Sequence, residues 1–369
     1  MHRRIALASA AVLLIAAFFP IMARAQEQKP APPPLQYTSF GDFKLQSGQT
    51  IHNFRLAYRT AGTLNAAKSN TILWPTWLGG KSEDLAGYVG PANVADTSQY
   101  FVVTVDAIGN GVSSSPSKSK EQPRLAFPEF TIRDMVEAEH RLATETLHVA
   151  HVHAVMGISM GGMQTFEWLI AYPDFMDVAI PMAGSPQSTS YDKLEWTTQI
   201  DALEADPEWK DGKGTKPMIA GYRVFSEIGS LQITSPAYRV AMTPTGDFAA
   251  FLTKTTSEHA GNALNACDDI RQRQAIMSLN LPAEFGAASI ADVAKRTHAK
   301  LFVIVSPEDH MVNPEPAITF ADAIGAPILR LDTSCGHLAL DCVSIGPIVA
   351  GVLDDPSSAK PQTLTGTPK

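Results

Sequence analysis

An α/β fold is predicted: a mostly parallel central sheet with helices on both faces and a helical cap inserted late in the chain. Three observations carry it. Short apolar runs of strand length alternate with stretches of helical spacing. The alternation breaks once, between about residues 187 and 296, where helix formers replace β-branched runs, and then resumes. Third, Gly157-Ile158-Ser159-Met160-Gly161-Gly162 sets a serine in G-x-S-x-G, after an apolar run and before a helix-like one. The chain of 369 residues is long enough for one large core with an inserted subdomain.

The elements follow in order. Arg3 and Arg4 open the chain, residues 5–22 are almost wholly apolar, and Ala23-Arg24-Ala25 forms an A-x-A cleavage site. Residues 1–25 therefore read as a signal peptide, with the general and twin-arginine routes both open. Residues 26–36 are a Pro-rich linker. The first part of the core spans residues 37–186. Residues 54–60 alternate like a strand, 70–74 and 100–105 are buried strands, and 132–147 have helical spacing with charges on one face. Residues 152–156 form a strand leading into the serine turn, 163–171 a helix, and 178–182 another buried strand. Residues 187–297, with Trp196 and Trp209, form the cap over the carboxyl ends of the strands, where ligands bind in such sheets. Residues 298–353 complete the core with strands at 300–305 and 327–331 around a helix. Residues 354–369, rich in Pro, Ser, Thr and Lys, read as a disordered tail.

Charge narrows the partners. Of 29 basic residues, Arg3, Arg4 and Arg24 precede residue 26, so 26 face 37 acidic ones in the mature chain, a formal net charge of −11. That argues against nucleic acid as a partner and for solubility. No second apolar stretch is long enough to span a bilayer, so no stable membrane insertion is expected after signal cleavage. A periplasmic or secreted location follows from the leader.

A serine in a strand–turn–helix context is a nucleophile elbow. The turn strains the serine backbone and requires small neighbours two positions away, which Gly157 and Gly161 supply. The helix start puts the Met160 N–H, and a positive dipole end, where an oxyanion would form. A serine hydroxyl needs a base, and on this kind of sheet the chain order is serine, acid, histidine. His298, His310 and His337 follow the cap. His298 precedes the resumed strand at the wrong end of the sheet; His337, in Ser334-Cys335-Gly336-His337 after the last strand, is the base, ahead of His310. The acid belongs on the loop after the preceding strand, where Asp309 is chosen and Glu308 is the fallback, with Asp332 and Asp341 as alternatives nearer His337. The second oxyanion donor is the Trp77 N–H, in the loop Pro75-Thr76-Trp77-Leu78-Gly79-Gly80.

Three other features read as structural. His148, His151 and His153 suggest a metal cluster, but two lie on a strand entering the core and the nearest carboxylate, Glu145, sits on the preceding helix, so no metal is assigned. The run Gly109-Asn110-Gly111-Val112-Ser113-Ser114-Ser115 lacks the lysine of a P-loop and reads as a flexible surface turn. Of the cysteines Cys267, Cys335 and Cys342, the last two bracket His337; a bridge would pin the histidine loop to the following helix, but two buried thiols are the favoured reading.

Over most of residues 40–350 the chain resembles the homoserine O-acetyltransferase family of α/β-hydrolase-fold proteins. The resemblance rests on Leu45-Gln46-Ser47-Gly48, Ala57-Tyr58, Gly62-Thr63-Leu64-Asn65, Gly90-Pro91, Asp96-Thr97 and Tyr100-Phe101, and most strongly on Ser159-Met160-Gly161-Gly162-Met163-Gln164 with Glu167-Trp168. Asp206-Pro207-Glu208-Trp209 with Gly212 matches inside the cap. The resemblance implies Ser159, Asp309 and His337 as triad and Trp77 and Met160 as oxyanion donors, in agreement with the reading of the residues; chemistry by such a triad needs no cofactor.

The departures bear on the reaction. The resemblance implies a cap-helix arginine for the acceptor's carboxylate, where this chain has Ser226-Glu227 with Arg223 close by, and an acidic residue after the histidine, where it has Leu338. Acetyl-CoA is a cytoplasmic donor, whereas the leader points to export. The expectation is an exported serine hydrolase for a small-molecule carboxylic ester, with a small acyl group. An O-acyltransferase is the alternative, and pairing of two copies through the cap is open.

Overall fold

The computed structural model describes residues 31–258 and 260–367. Residues 1–25, expected as a signal peptide, and the first part of the expected linker lie outside the described residues. The sheet contains β1 (Gln36–Lys44), β2 (Thr50–Ala61), β3 (Thr71–Pro75), β4 (Phe101–Val105), β5 (Val152–Ile158), β6 (Met176–Met182), β7 (Val303–Val305), β8 (Ile328–Asp332) and β9 (Gln362–Thr365). Their spatial order is β1-β2-β4-β3-β5-β6-β7-β8-β9, with the two-residue strand Lys300–Leu301 paired to β6. β1–β2 and β2–β4 are antiparallel; every other pairing is parallel.

The parallel strands are buried on both faces, which is why they read as continuous apolar runs. One face packs Leu73, Val103, Val155 and Ala179 against α1 (Ile132–Arg141) and α2 (Met160–Ala171). The other packs Ile72, Val102, Ala154 and Val178 together with Val349 and Leu353 of the C-terminal helix. The helix read over 132–147 is α1 followed by a π-turn at Leu142–Thr146. Thr131 and Asp134 close a capping box at its start, worth about 1 kcal/mol.

The cap comprises α3 (Ser190–Glu204), α4 (Ile219–Gln232), α5 (Pro236–Met242), α6 (Phe248–Glu258) and α7 (Ala263–Ser278), followed by the single turns Leu281–Glu284 and Ile290–Ala294. It carries a small core of its own from Leu203, Trp209, Met218, Tyr222, Phe225, Cys267 and Ile270. The chain then returns through β7, α8 (Glu315–Ile324), β8 and α9 (Gly346–Asp354). Among the described residues no single helix is long and apolar enough to cross a membrane.

Three readings need correction. The tail is not wholly without structure, because Gln362–Thr365 pairs with Leu329–Asp332 as a parallel edge strand. Its residues are mostly exposed and polar, so it carries no apolar signal. The linker ends in β1, whose first residue is Gln36, and the Pro33 carbonyl accepts a hydrogen bond from Arg59. Cys335 and Cys342 are joined by a disulfide, so the two-thiol reading fails; their Cα atoms lie 6.5 Å apart. Cys267 is free and buried.

Candidate active site

The elbow follows from its glycines. Ser159 sits between β5 and α2 with φ 58° and ψ −121°, a conformation that costs a non-glycine residue roughly 1–3 kcal/mol. A Cβ on Gly157 would lie 2.3 Å from the Gly161 carbonyl carbon, and one on Gly161 would lie 2.5 Å from the Pro75 oxygen. Both small residues are therefore required, one by the turn itself and one by the neighbouring loop. The Ser159 N–H donates to the Met182 carbonyl at 2.8 Å, which fixes the elbow against the end of β6. Met160 is the first residue of α2, so its N–H has no carbonyl one turn back to bond and stands at the positive end of the helix.

His337 lies in a single turn, Gly336–Leu338, after β8. Its Nε2 is 2.9 Å from Ser159 Oγ, and its Nδ1 is 2.7 Å from Asp309 Oδ2. The other Asp309 oxygen accepts the N–H groups of Met311 and Val312, each at 2.9 Å, so the carboxylate cannot swing away. Ser159 and His337 are 8% and 9% exposed, leaving the chain of three nearly sealed. Burial opposes a charged imidazole, but the facing Asp309 carboxylate and its hydrogen bond outweigh that, and the His337 pKa is raised above the usual histidine value.

The alternatives fall elsewhere. His310 faces Glu308 at 3.8 Å, and His298 pairs with Asp174 at 2.8 Å. Asp332 ends β8 exposed, and Asp341 accepts the Tyr88 hydroxyl at 3.3 Å. His151 and His153 both face Asp177, and among the described residues no group of three His, Cys, Asp or Glu is arranged to hold a metal ion.

Trp77 follows β3 in a loop held from below. The Thr76 N–H donates to the Val105 carbonyl at 3.0 Å, and Gln164 Nε2 donates to the Thr76 carbonyl at 3.1 Å. The 109–115 run is not a flexible surface turn. Asn110, Ser113 and Ser115 are buried, and Asn110 Nδ2 bridges the Gly80 carbonyl at 2.9 Å to the Asp106 carboxylate at 3.0 Å. Asp106 also accepts both the N–H and the hydroxyl of Ser82. This buried polar brace sits directly under the Trp77 loop. Nothing periodic marks it in the sequence, because its partners come from two separate strand ends.

The cap adds a buried carboxyl group. Glu195 on α3 is 2% exposed, and burial, Asp192 and Asp309 push its pKa up to about 9 against the opposing Arg273. It is therefore neutral near pH 7 and adds no charge beside Asp309. On α4, where the resemblance implies a cap arginine near Ser226-Glu227, the Ser226 hydroxyl donates to its own helix backbone at the Tyr222 carbonyl. Arg223 is turned outward and paired with Glu227 at 3.0 Å.

Comparisons with known proteins bear on the fold and the family that the chain resembles. Residues 75–212 match the family model described as the alpha/beta hydrolase fold. Over 211 residues the chain is 35% identical to an ethyl acetate hydrolase of Pseudomonas veronii, covering 56% of this chain and 60% of that protein. Over 198 residues it is 34% identical to a homoserine O-acetyltransferase of Methanococcoides burtonii, covering 48% of this chain and 40% of that one. The chain spans about half the length of the curated relatives it matches. A solved acetylester hydrolase from Corynebacterium glutamicum superposes over 87% of this chain and 95% of its own, with a TM-score of 0.77 at 28% identity.

Proposed function

We propose that this chain, an α/β-hydrolase-fold protein similar to the homoserine O-acetyltransferases and to esterases, is an exported serine esterase for carboxylic esters with small acyl groups. The single observation that carries this reading is the unbroken hydrogen-bonded chain Asp309–His337–Ser159, with the serine on a strained elbow.

The Ser159 hydroxyl attacks the ester carbonyl carbon while His337 Nε2 takes its proton. Asp309 holds Nδ1–H, fixing the tautomer and stabilising the imidazolium without itself taking a proton. The oxyanion is held by the N–H groups of Trp77 and Met160, each donor of this kind being worth about 10²–10³ in rate. Collapse expels the alcohol, which takes the proton from His337. Water, deprotonated by His337, then attacks the acyl-enzyme, and the carboxylic acid leaves as Ser159 regains its proton.

The small acyl group is supported by the relatives named for ethyl acetate and for acetyl esters. Transfer to an acceptor is the second reading, supported by the homoserine O-acetyltransferase similarity. Two features favour water as the acceptor: Arg223 is turned outward, and the residue after His337 is Leu338. Export rests on residues 1–25, and pairing of two copies on exposed cap residues such as Ile219, Leu231 and Val240.

A chain-length series of p-nitrophenyl esters, assayed with and without added homoserine, tests the reading. Multiple turnovers that favour acetate and ignore homoserine are expected. A one-equivalent burst that stalls until an alcohol is supplied would make the protein a transferase.

A further inference from the structure

The cap does more than cover the site. Two of its helices and one inter-helix junction each hold one of the loops that carry the proposed chemistry. From α3, Asp192 accepts the Asn313 N–H of the Asp309 loop at 3.0 Å. From the α4–α5 junction, the Ile233 carbonyl accepts the His337 N–H at 3.0 Å, and the Ser235 hydroxyl donates to the Ser334 carbonyl at 2.7 Å. From α7, Gln272 accepts the Gly79 N–H at 2.8 Å and donates to the Ile108 carbonyl at 2.9 Å.

The Gln272 contact is the most informative. The core fixes Thr76 and Gly80 at the two ends of the Trp77 loop, through Val105, Gln164 and Asn110. Between them, Gly79, at φ +68°, is held from the cap by Gln272. Gln272 is 2% exposed, so both halves of its amide are spent on these two backbone groups. Only a primary amide of this length accepts from one and donates to the other. The turn at Ile108 is shaped to receive it: a Cβ on Gly109, at φ +87°, would lie 3.0 Å from Gln272 Cγ.

We propose that Gln272 is a positioning residue for the oxyanion site: it sets the Trp77 N–H from the cap, so that the cap must be seated for the donor to be in place. This rests on the reading of Trp77 as an oxyanion donor. Substrate seen by the cap is thereby coupled to the donor that stabilises the transition state. The coupling acts on the chemical step rather than on ground-state binding, because a misplaced donor loses an interaction made only with the oxyanion.

The test compares Gln272→Met, which removes both bonds at nearly constant volume, with Gln272→Glu, which keeps an acceptor for Gly79 but loses the donor to Ile108. Expected for Gln272→Met is a fall in kcat of about 10–100-fold, with KM within about threefold and the acid limb of the pH profile unmoved, since His337 is untouched. A phenylboronic acid, whose serine adduct places an oxygen in the oxyanion site, should lose affinity in step with kcat. Gln272→Glu should fall between Met and wild type. If Gln272→Met does not fold, Gln272→Glu carries the same kinetic prediction at smaller size.

Hydrogen exchange of the Gly79 amide gives a readout that stands even if the wild type turns over no ester: protection in the wild type should be lost in Gln272→Met. Unchanged kcat in both variants, or a Gly79 amide equally protected without Gln272, would overturn the proposal. Absence of wild-type turnover would instead sink the esterase reading.

Discussion

Ser159 and His337 lie 2.9 Å apart, yet different parts of the chain hold them. The serine is fixed locally, by Gly157, Gly161 and the ends of two core strands. The histidine sits in a loop closed by the Cys335–Cys342 bridge on one side and gripped by Ile233 and Ser235 of the cap on the other. The serine on its elbow needs its own glycines and the ends of the core strands beside it, at Met182 and Pro75. A base at the end of the chain needs contacts from about a hundred residues away, such as Ser235 to Ser334. The elbow should therefore respond to changes in its own motif, and the base to changes in the cap and the bridge.

The largest effect should come from the elbow. Ser159→Ala is expected to lower kcat by about 10⁴–10⁶ with the fold intact, read by ester turnover and circular dichroism. Asp309→Asn leaves the geometry but upsets the imidazole tautomer, and about 10⁴ should be lost. On the acid side, kcat/KM of the wild type should fall as His337 takes up a proton. Because Asp309 raises that pKa over the opposing burial, the midpoint of the fall should lie above the usual imidazole value, as a pH–rate profile would show. A midpoint at or below the usual value would mean that the Asp309 contact is absent in solution.

Opening the bridge tests the other half of the contrast. The Cys335→Ser, Cys342→Ser double variant is expected to lose about 2 kcal/mol of stability and several-fold in kcat, measured by denaturant unfolding and steady-state rates. The elbow should be unaffected, with Ser159 still labelled by a fluorophosphonate. The smallest effect on activity should come from Glu195→Gln. The Glu195 pKa is raised in the folded state, so the unfolded chain releases this proton first and folding loses stability as pH rises from about 4.5 towards about 9. The glutamine removes that penalty and should stabilise the protein by about 1–3 kcal/mol at pH 7, with activity within twofold and the gain vanishing below pH 4.

The same contrast explains what the sequence made legible. Strands 70–74, 152–156 and 178–182 could be read because burial on both faces of a parallel sheet forces apolar runs. Ser159, Asp309 and His337 could be placed because each follows such a strand, and the structure brings the three into one hydrogen-bonded chain. The polar edge strand Gln362–Thr365 left no apolar trace, since its stability comes from backbone pairing to β8. The Cys335–Cys342 pairing could not be decided from a spacing of seven residues, which suits a bridge and two thiols alike. The grips of Gln272, Asp192 and Ser235 were invisible for a stronger reason. Each joins residues far apart in the chain through backbone groups, which every residue possesses. Gln164 is the exception: it lies in the Ser159–Gln164 string that carries the family resemblance, although its bond to the Thr76 carbonyl is visible only in the fold.

In the proposed reaction Ser159 is a nucleophile activated by His337 and Asp309. It is checked most directly by labelling the protein with a fluorophosphonate, followed by peptide mass spectrometry and by the labelling rate against pH. One equivalent on Ser159 is expected, at a rate that falls as His337 is protonated and drops sharply in Asp309→Asn. Labelling on another residue, or a Ser159 rate indifferent to both pH and Asp309, would contradict the account.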